Sequence, residues 1–110
     1  MLPGVTPHIE LLWWQGCPST TRALDDLRAA LDDAGLDPEA VDVREIADDE
    51  QAVRERFPGS PTIRVDGADL FPSDEPPALT CRVYRRADGR VSPTPEPDAV
   101  RAALARAVAA

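Results

Sequence analysis

The chain has 110 residues with 12 Arg, no Lys and 20 acidic side chains, for a net charge of -8; such a surface repels phosphate backbones and anionic bilayers, so neither nucleic acid nor membrane is an expected partner. Its length suits one domain, residues 1–110 with a core from about 8 to 108, and with 43% hydrophobic but only 5% aromatic residues that core must be mainly Ala, Leu, Val and Ile. No basic stretch leads into an apolar one at the start and no apolar run is long enough to span a bilayer, so the expectation is a soluble, cytoplasmic protein, where two cysteines point to chemistry more than to a disulfide framework.

Residues 8–14, HIELLWW, are apolar past His8 except for Glu10, as in a central strand buried on both faces. Gln15 and Gly16 make a turn. From Pro18, a residue suited to the first helical position, Leu24, Leu27 and Leu31 recur on one face until Gly35 stops the helix. In EAVDVREI, Val41 and Val43 alternate with Asp42 and Arg44 as in a strand near a sheet edge. A short helix follows, capped by Asp48 or Asp49, with Val53 and Phe57 on one face and Pro58-Gly59 as its end. PTIRVDG reads as a strand from Pro61 into an Asp-Gly turn. Residues 68–80, with three prolines, read as a loop insertion. CRVYRR alternates about Val83 as a fourth strand before an Ala87-Asp88-Gly89 turn. Thr94 caps and Pro95 starts a last helix along Val100, Leu104 and Val108. The order is βαβαββα, and there are no internal repeats.

Cys17 sits where the first strand passes into the first helix. Placed at the N-cap, it faces free N–H groups and the positive end of the helix dipole, which stabilise a thiolate; thiols so placed have pKa values of roughly 3.5 to 7.5. A small buried core cysteine is the competing reading, and the flanking Gly16 and Pro18 decide for chemistry. Trp13 and Trp14 point to opposite faces, one into the core and one beside the thiol, with Trp14 the candidate for substrate contact. Cys81 stays open between an inert, half-buried strand thiol and a partner for Cys17. A plain hairpin would put it about 13 to 16 Å from Pro61, whereas a loop folding back over the site would bring it near. His8 is the only histidine, and with two Cys it falls short of a zinc set; no metal or cofactor is expected. The acidic runs are solvated helix faces and caps.

The Cys-Pro-Ser-Thr of Cys17 to Thr20 is similar to the glutaredoxin Cys-Pro-x-Cys, and Gly59-Ser60-Pro61-Thr62 resembles the cis-proline motif of the same superfamily. With the element order, these give a resemblance to the thioredoxin and glutaredoxin fold over almost the whole chain. It implies a four-stranded mixed sheet flanked by helices, a cis bond before Pro61, and a substrate surface of Trp14, Pro18, Thr20, Ser60 and Pro61, with the Ser60 main chain offered to an extended thiol substrate. The chain departs from the pattern at two places. Thr20 stands where a dithiol protein has its resolving cysteine, and Leu11 where thioredoxins carry a buried acid.

Cys17 and Cys81-Arg82-Val83-Tyr84 also resemble organomercurial lyases, which pair a Cys-x-x-Asp at a helix start with a later strand cysteine, and the chain is similar to small actinobacterial thioredoxin-like proteins labelled alkylmercury lyase-like. Thr20 occupies the acid's place without a carboxylate. Three functions are therefore expected in competition. One is a thiol redox protein acting on a small thiol or protein disulfide substrate, with Cys17 as nucleophile and Cys81, or a small thiol such as glutathione or mycothiol, resolving the adduct. The second is an organomercurial or soft-metal handler using both thiols. The third is a binding module without turnover.

Overall fold

In the computed structural model, which describes residues 6–109, the apolar run of the first strand is divided between two faces of a sheet. Strand β1 (Ile9–Trp13) sends Ile9 and Leu11 to one face and Leu12 to the other, all buried. It is central: the sheet order is β2-β1-β3-β4, with β2 (Val41–Glu45) parallel to β1, β3 (Thr62–Val65) antiparallel to β1, and β4 (Ala68–Asp69) antiparallel to β3. The result is one compact α/β domain with a four-stranded mixed sheet and three helices.

The first face is covered by α1 (Thr20–Asp33) and α3 (Pro97–Ala109). Ala23, Leu27, Ala30 and Leu31 of α1 and Val100 and Leu104 of α3 close over Ile9, Leu11, Ile63 and Val65 to form the larger core. The helix α1 ends as its sequence implies, with Leu36 N–H donating to Leu31 O at 2.9 Å and Gly35 at a positive φ of 75°. The opposite face carries α2 (Asp49–Glu55), capped by the Asp48 carboxylate, which accepts from Gln51 N–H at 2.8 Å. Leu12, Ile46, Ala52 and Phe57 pack there, joined by Trp14 and Leu79.

Glu10 lies on this second face at 4% exposure, between Arg44 of β2 and Arg64 of β3. Arg44 Nη1 reaches Glu10 at 2.6 Å, and the two guanidiniums share Glu55 of α2 at 2.8 and 3.0 Å. Burial by itself raises the Glu10 carboxyl pKa, but hydrogen bonds and charge from Arg44 and Arg64 outweigh it and hold the pKa below the usual 4.5. Glu55 is lowered by the same two arginines. Two carboxylates against two guanidiniums leave a neutral cluster that ties α2 to three elements.

Several expectations are corrected. The fourth strand of the sheet is Ala68–Asp69, not the segment at Cys81: the Asp66-Gly67 turn, with φ of 51° and 84°, closes a tight hairpin. The connection without strand therefore begins at Leu70. Tyr84–Arg85 (β5) and Val91–Ser92 (β6) form a separate two-stranded ribbon, and Val83 is exposed. Val53 and Phe57 do not share a face, because α2 ends at Arg56 in the left-handed region, leaving Val53 exposed and turning Phe57 into the core. Thr94 and Pro95 precede the last helix, which starts at Pro97. Pro18 also lies outside its helix, since the N-cap of α1 is Ser19.

The Glu10 cluster yields a prediction. Glu10→Gln leaves two arginines facing one carboxylate and should cost about 3 kcal/mol in urea unfolding. The folded-state pKa values of Glu10 and Glu55 are depressed, so their contribution is full above the ordinary carboxylate value of 4.5 and is lost as pH falls through the lower folded values. The urea midpoint of the wild type should therefore drop below about pH 4.5 more steeply than that of Glu10→Gln.

Candidate functional site

The first turn after β1 is set by Gly16. A Cβ there would lie 2.3 Å from the Trp14 ring, so only glycine lets the indole fold over the chain at this point. Cys17 N–H donates to Trp14 O at 3.1 Å, closing the turn. The Cys17 side chain is buried, at 4% exposure, two residues ahead of the helix cap it was expected to occupy. Ser19 holds the cap, but its hydroxyl makes no capping bond. That hydroxyl and the Ser19 N–H instead act to lower the pKa of the Cys17 thiol.

Against Cys17 stands Ser60, fully buried, joined to Pro61 by a cis peptide. Cys17 Sγ donates to Ser60 O at 3.4 Å, and Trp14 N–H donates to Ser60 Oγ at 3.0 Å. The main chain of Ser60, expected to receive an extended substrate, is already engaged: Ser60 N–H donates to Thr80 O at 2.8 Å and Ser60 O accepts from Arg82 N–H at 2.8 Å. Ala78 N–H donates to Phe57 O at 3.0 Å just before. Residues 78–82 thus run parallel to residues 57–60, and Cys81 is bridged to Ser60. The proline-rich connection carries the chain from the end of the β3–β4 hairpin back to the start of β3. A hairpin return would have left Cys81 at the other end.

This return is fixed by Arg82, whose side chain is only 7% exposed. Its Nη1 donates to Asp69 Oδ2 at 2.8 Å and Thr62 Oγ1 at 3.1 Å, its Nη2 donates to Phe71 O, and the guanidinium lies 4.7 Å from the Tyr84 ring centroid. The planar fork satisfies three partners and stacks on an aromatic face, which an ammonium does not do. Tyr84 packs edge-on against Phe71 with centroids 5.5 Å apart and donates its hydroxyl to Pro61 O. Gly59 admits the segment: at a φ of 142°, a Cβ there would meet Arg82 Cβ at 3.0 Å.

The two cysteines meet at Ser60, and each acts on the titration of the other. Burial alone would push the Cys17 pKa up, but hydrogen bonding to the Cys81 thiol, the Ser19 N–H and hydroxyl, and the Ser60 hydroxyl outweighs it and brings it below the ordinary thiol value. Cys81, exposed at its surface, gives its proton to that bond and is pushed up to about 11, first by the hydrogen bond to Cys17, then by burial and the nearby charge. The first proton leaves the pair easily and the second with difficulty, which is how coupled acids titrate.

Among the other expected site residues, Trp14 is half-buried beside the turn, Pro18 is exposed, and Thr20 opens α1 with an Oγ1 that has no partner among the described residues. Pro61 is buried beneath the returning segment. Two residues of the site were not anticipated in their roles. Ser19 was legible as a Ser in cap position after Cys-Pro; Arg82 was not, since an Arg alternating with Val reads as the wet side of a strand. His8, Glu10 and Asp42 offer ligand atoms within 4.8 Å of one another at the opposite end of β1, but Glu10 is committed to Arg44 and Arg64.

The arrangement predicts that Cys17 depends on Cys81 and on Arg82. Removing the strongest donor in Cys81→Ala should move the midpoint of Cys17 alkylation against pH upward. Arg82→Met, which frees the returning segment, should move it the same way in a chain that keeps its helical circular dichroism. An unchanged midpoint in both variants would mean that the thiols do not interact.

No family model, curated protein or solved structure matches the chain.

Proposed function

We propose that the chain is a thiol redox protein with a thioredoxin-like arrangement, in which Cys17 and Cys81 form one redox pair assembled from distant parts of the sequence. The observation that carries this reading is the convergence of both cysteines on Ser60, whose carbonyl accepts from Cys17 Sγ at 3.4 Å and whose backbone is bridged to Cys81. Cys17 supplies the stabilised thiolate, the form in which a sulfur attacks a disulfide. Cys81 takes the part of the resolving cysteine that Thr20 cannot play. In the cycle, a thiolate of the pair attacks a substrate disulfide to give a mixed disulfide and a released thiolate. The other sulfur of the pair then attacks the protein sulfur of that adduct, expelling the second substrate thiolate and closing the Cys17–Cys81 bond. Two electrons pass to the substrate, and two molecules of a small thiol such as glutathione return them to the pair by the same exchange run in reverse, leaving as their disulfide. Ser19 and Ser60 hold the charge on Cys17 whenever the pair is reduced, and Trp14 shields it.

A second reading is favoured by the same convergence: two sulfurs on one side of Ser60 suit a soft cation bound between thiolates. Cleavage of a carbon–mercury bond also needs a proton for the departing carbon, and Thr20 offers only a hydroxyl, so this reading is capture without cleavage.

Equilibration with glutathione buffers of graded ratio, read by the fluorescence of the adjoining Trp14, separates the readings. The redox reading predicts one two-electron transition in the wild type and a stable glutathione adduct at Cys17 in Cys81→Ser. A wild type that accumulates only glutathione adducts, or does not respond, removes it. Stoichiometric loss of both thiols to mercuric ion with no redox transition would leave the metal reading alone, and loss of neither would leave a binding module.

A further inference from the structure

The two sulfurs are not equally accessible. Cys17 is enclosed by Trp14, Ser19 and Ser60, while Cys81 is exposed on the wall of an open cleft of about 630 Å³, within the range of about 300–1,000 Å³ usual for small-molecule sites. Phe71, Tyr84 and three prolines give this cleft an apolar body, and Glu75 and Arg85 put opposite charges on its wall. Arg82 also borders it, but its guanidinium is taken up by Asp69, Thr62 and Phe71, whereas Arg85 commits only Nη1, which donates to Gly89 O at 3.0 Å.

We propose that, when the pair is oxidised, an incoming thiol attacks Cys81 and not Cys17, and that the cleft seats a small zwitterionic thiol with its carboxylate toward Arg85 and its ammonium toward Glu75. This rests on reading Cys17 and Cys81 as a redox pair. The substrate thiolate attacks Cys81 Sγ, the Cys17–Cys81 bond breaks, and its electron pair leaves on Cys17. Ser19 and Ser60 receive that charge in place, and a stabilised thiolate leaves faster. A second thiolate then attacks the substrate sulfur of the adduct. The substrate disulfide departs and Cys81 leaves as thiolate, taking a proton from water. Two thiols are oxidised and the protein disulfide is reduced by the same two electrons. Hydrogen peroxide restores the pair, accepting two electrons and the two thiol protons and becoming two waters. Because the leaving sulfur is the stabilised one, the pair runs more readily as an oxidant of small thiols than as a reductant of disulfides.

The test starts from wild-type protein oxidised with hydrogen peroxide and confirmed as the Cys17–Cys81 disulfide by peptide mapping. It is mixed briefly with glutathione, which carries carboxylates and an ammonium, or with uncharged 2-mercaptoethanol, then quenched in acid and mapped. The expected adduct is on Cys81 with both thiols. In Arg85→Gln the ratio of the glutathione to the 2-mercaptoethanol rate should fall three- to fivefold, roughly what one exposed ion pair supplies. An adduct on Cys17 overturns the order of attack, and an unchanged ratio overturns the seating in the cleft; both leave the redox pair standing. Failure to form the intramolecular disulfide at the first step removes the redox pair itself, and this inference with it.

Discussion

The site depends on two main-chain hydrogen bonds, those that tie Ser60 to Thr80 and Arg82. Without them the two cysteines belong to different parts of the molecule, one at a strand end and one in a proline-rich connection. With them, Cys81 is held on Ser60, the residue whose carbonyl Cys17 touches. Pairing over so long a connection costs chain entropy, though that cost grows only slowly with length. What offsets it is side-chain burial along the segment: Leu79 joins the cluster of Leu12, Ile46, Ala52 and Phe57, Arg82 is enclosed, and Tyr84 reaches Pro61. In effect the main chain of Ser60 is occupied by a segment of the chain itself, one that carries a thiol. An outside peptide would have to displace it, whereas a small molecule reaches Cys81 from the cleft.

Arginine does the electrostatic work in both halves of the structure. On the α2 face, Arg44 and Arg64 neutralise Glu10 and Glu55 inside the sheet layer. At the site, Arg82 bonds to Asp69, Thr62 and Phe71 and stacks on Tyr84. Each depends on a guanidinium's several fixed donors, which a lysine ammonium does not supply. Charge is thereby kept within closed sets, so the net charge of -8 is carried by the exposed acids of the helices and turns. The field at the thiols is local, set by the Ser19 and Ser60 hydrogen bonds.

The sequence made the sheet layer and the longest helix legible because their signals are redundant. Leu27 and Leu31 repeat at helical spacing and end at a glycine with the positive φ that such an end needs. Ile9 to Leu12 are apolar on both faces because the strand is central. Asp48 caps and Asp66-Gly67 turns, each by its local chemistry. What could not be read was pairing between distant segments. The alternation of CRVY is the same whether Cys81 lies in a sheet strand or in a single bridge to Ser60, and the shortness of β4 hid the true hairpin partner of β3. Prolines stand at 93, 95 and 97, and local preference does not distinguish Pro95 from Pro97 as the start of the last helix. The place of Cys17 was legible within two residues, but its burial and its dependence on Ser19 come from the turn that Gly16 allows under Trp14.

The whole scheme rests on Cys17 and Cys81 meeting at Ser60 and titrating as one coupled pair. It is tested most directly on protein labelled with carbon-13 at the cysteine Cβ positions, by following both resonances by NMR as pH is raised. Cys17 should titrate below the ordinary thiol value and Cys81 only near about 11, with each resonance showing a smaller step where the other loses its proton. Two single, independent curves, both near the free-thiol value of about 8.5, would contradict it.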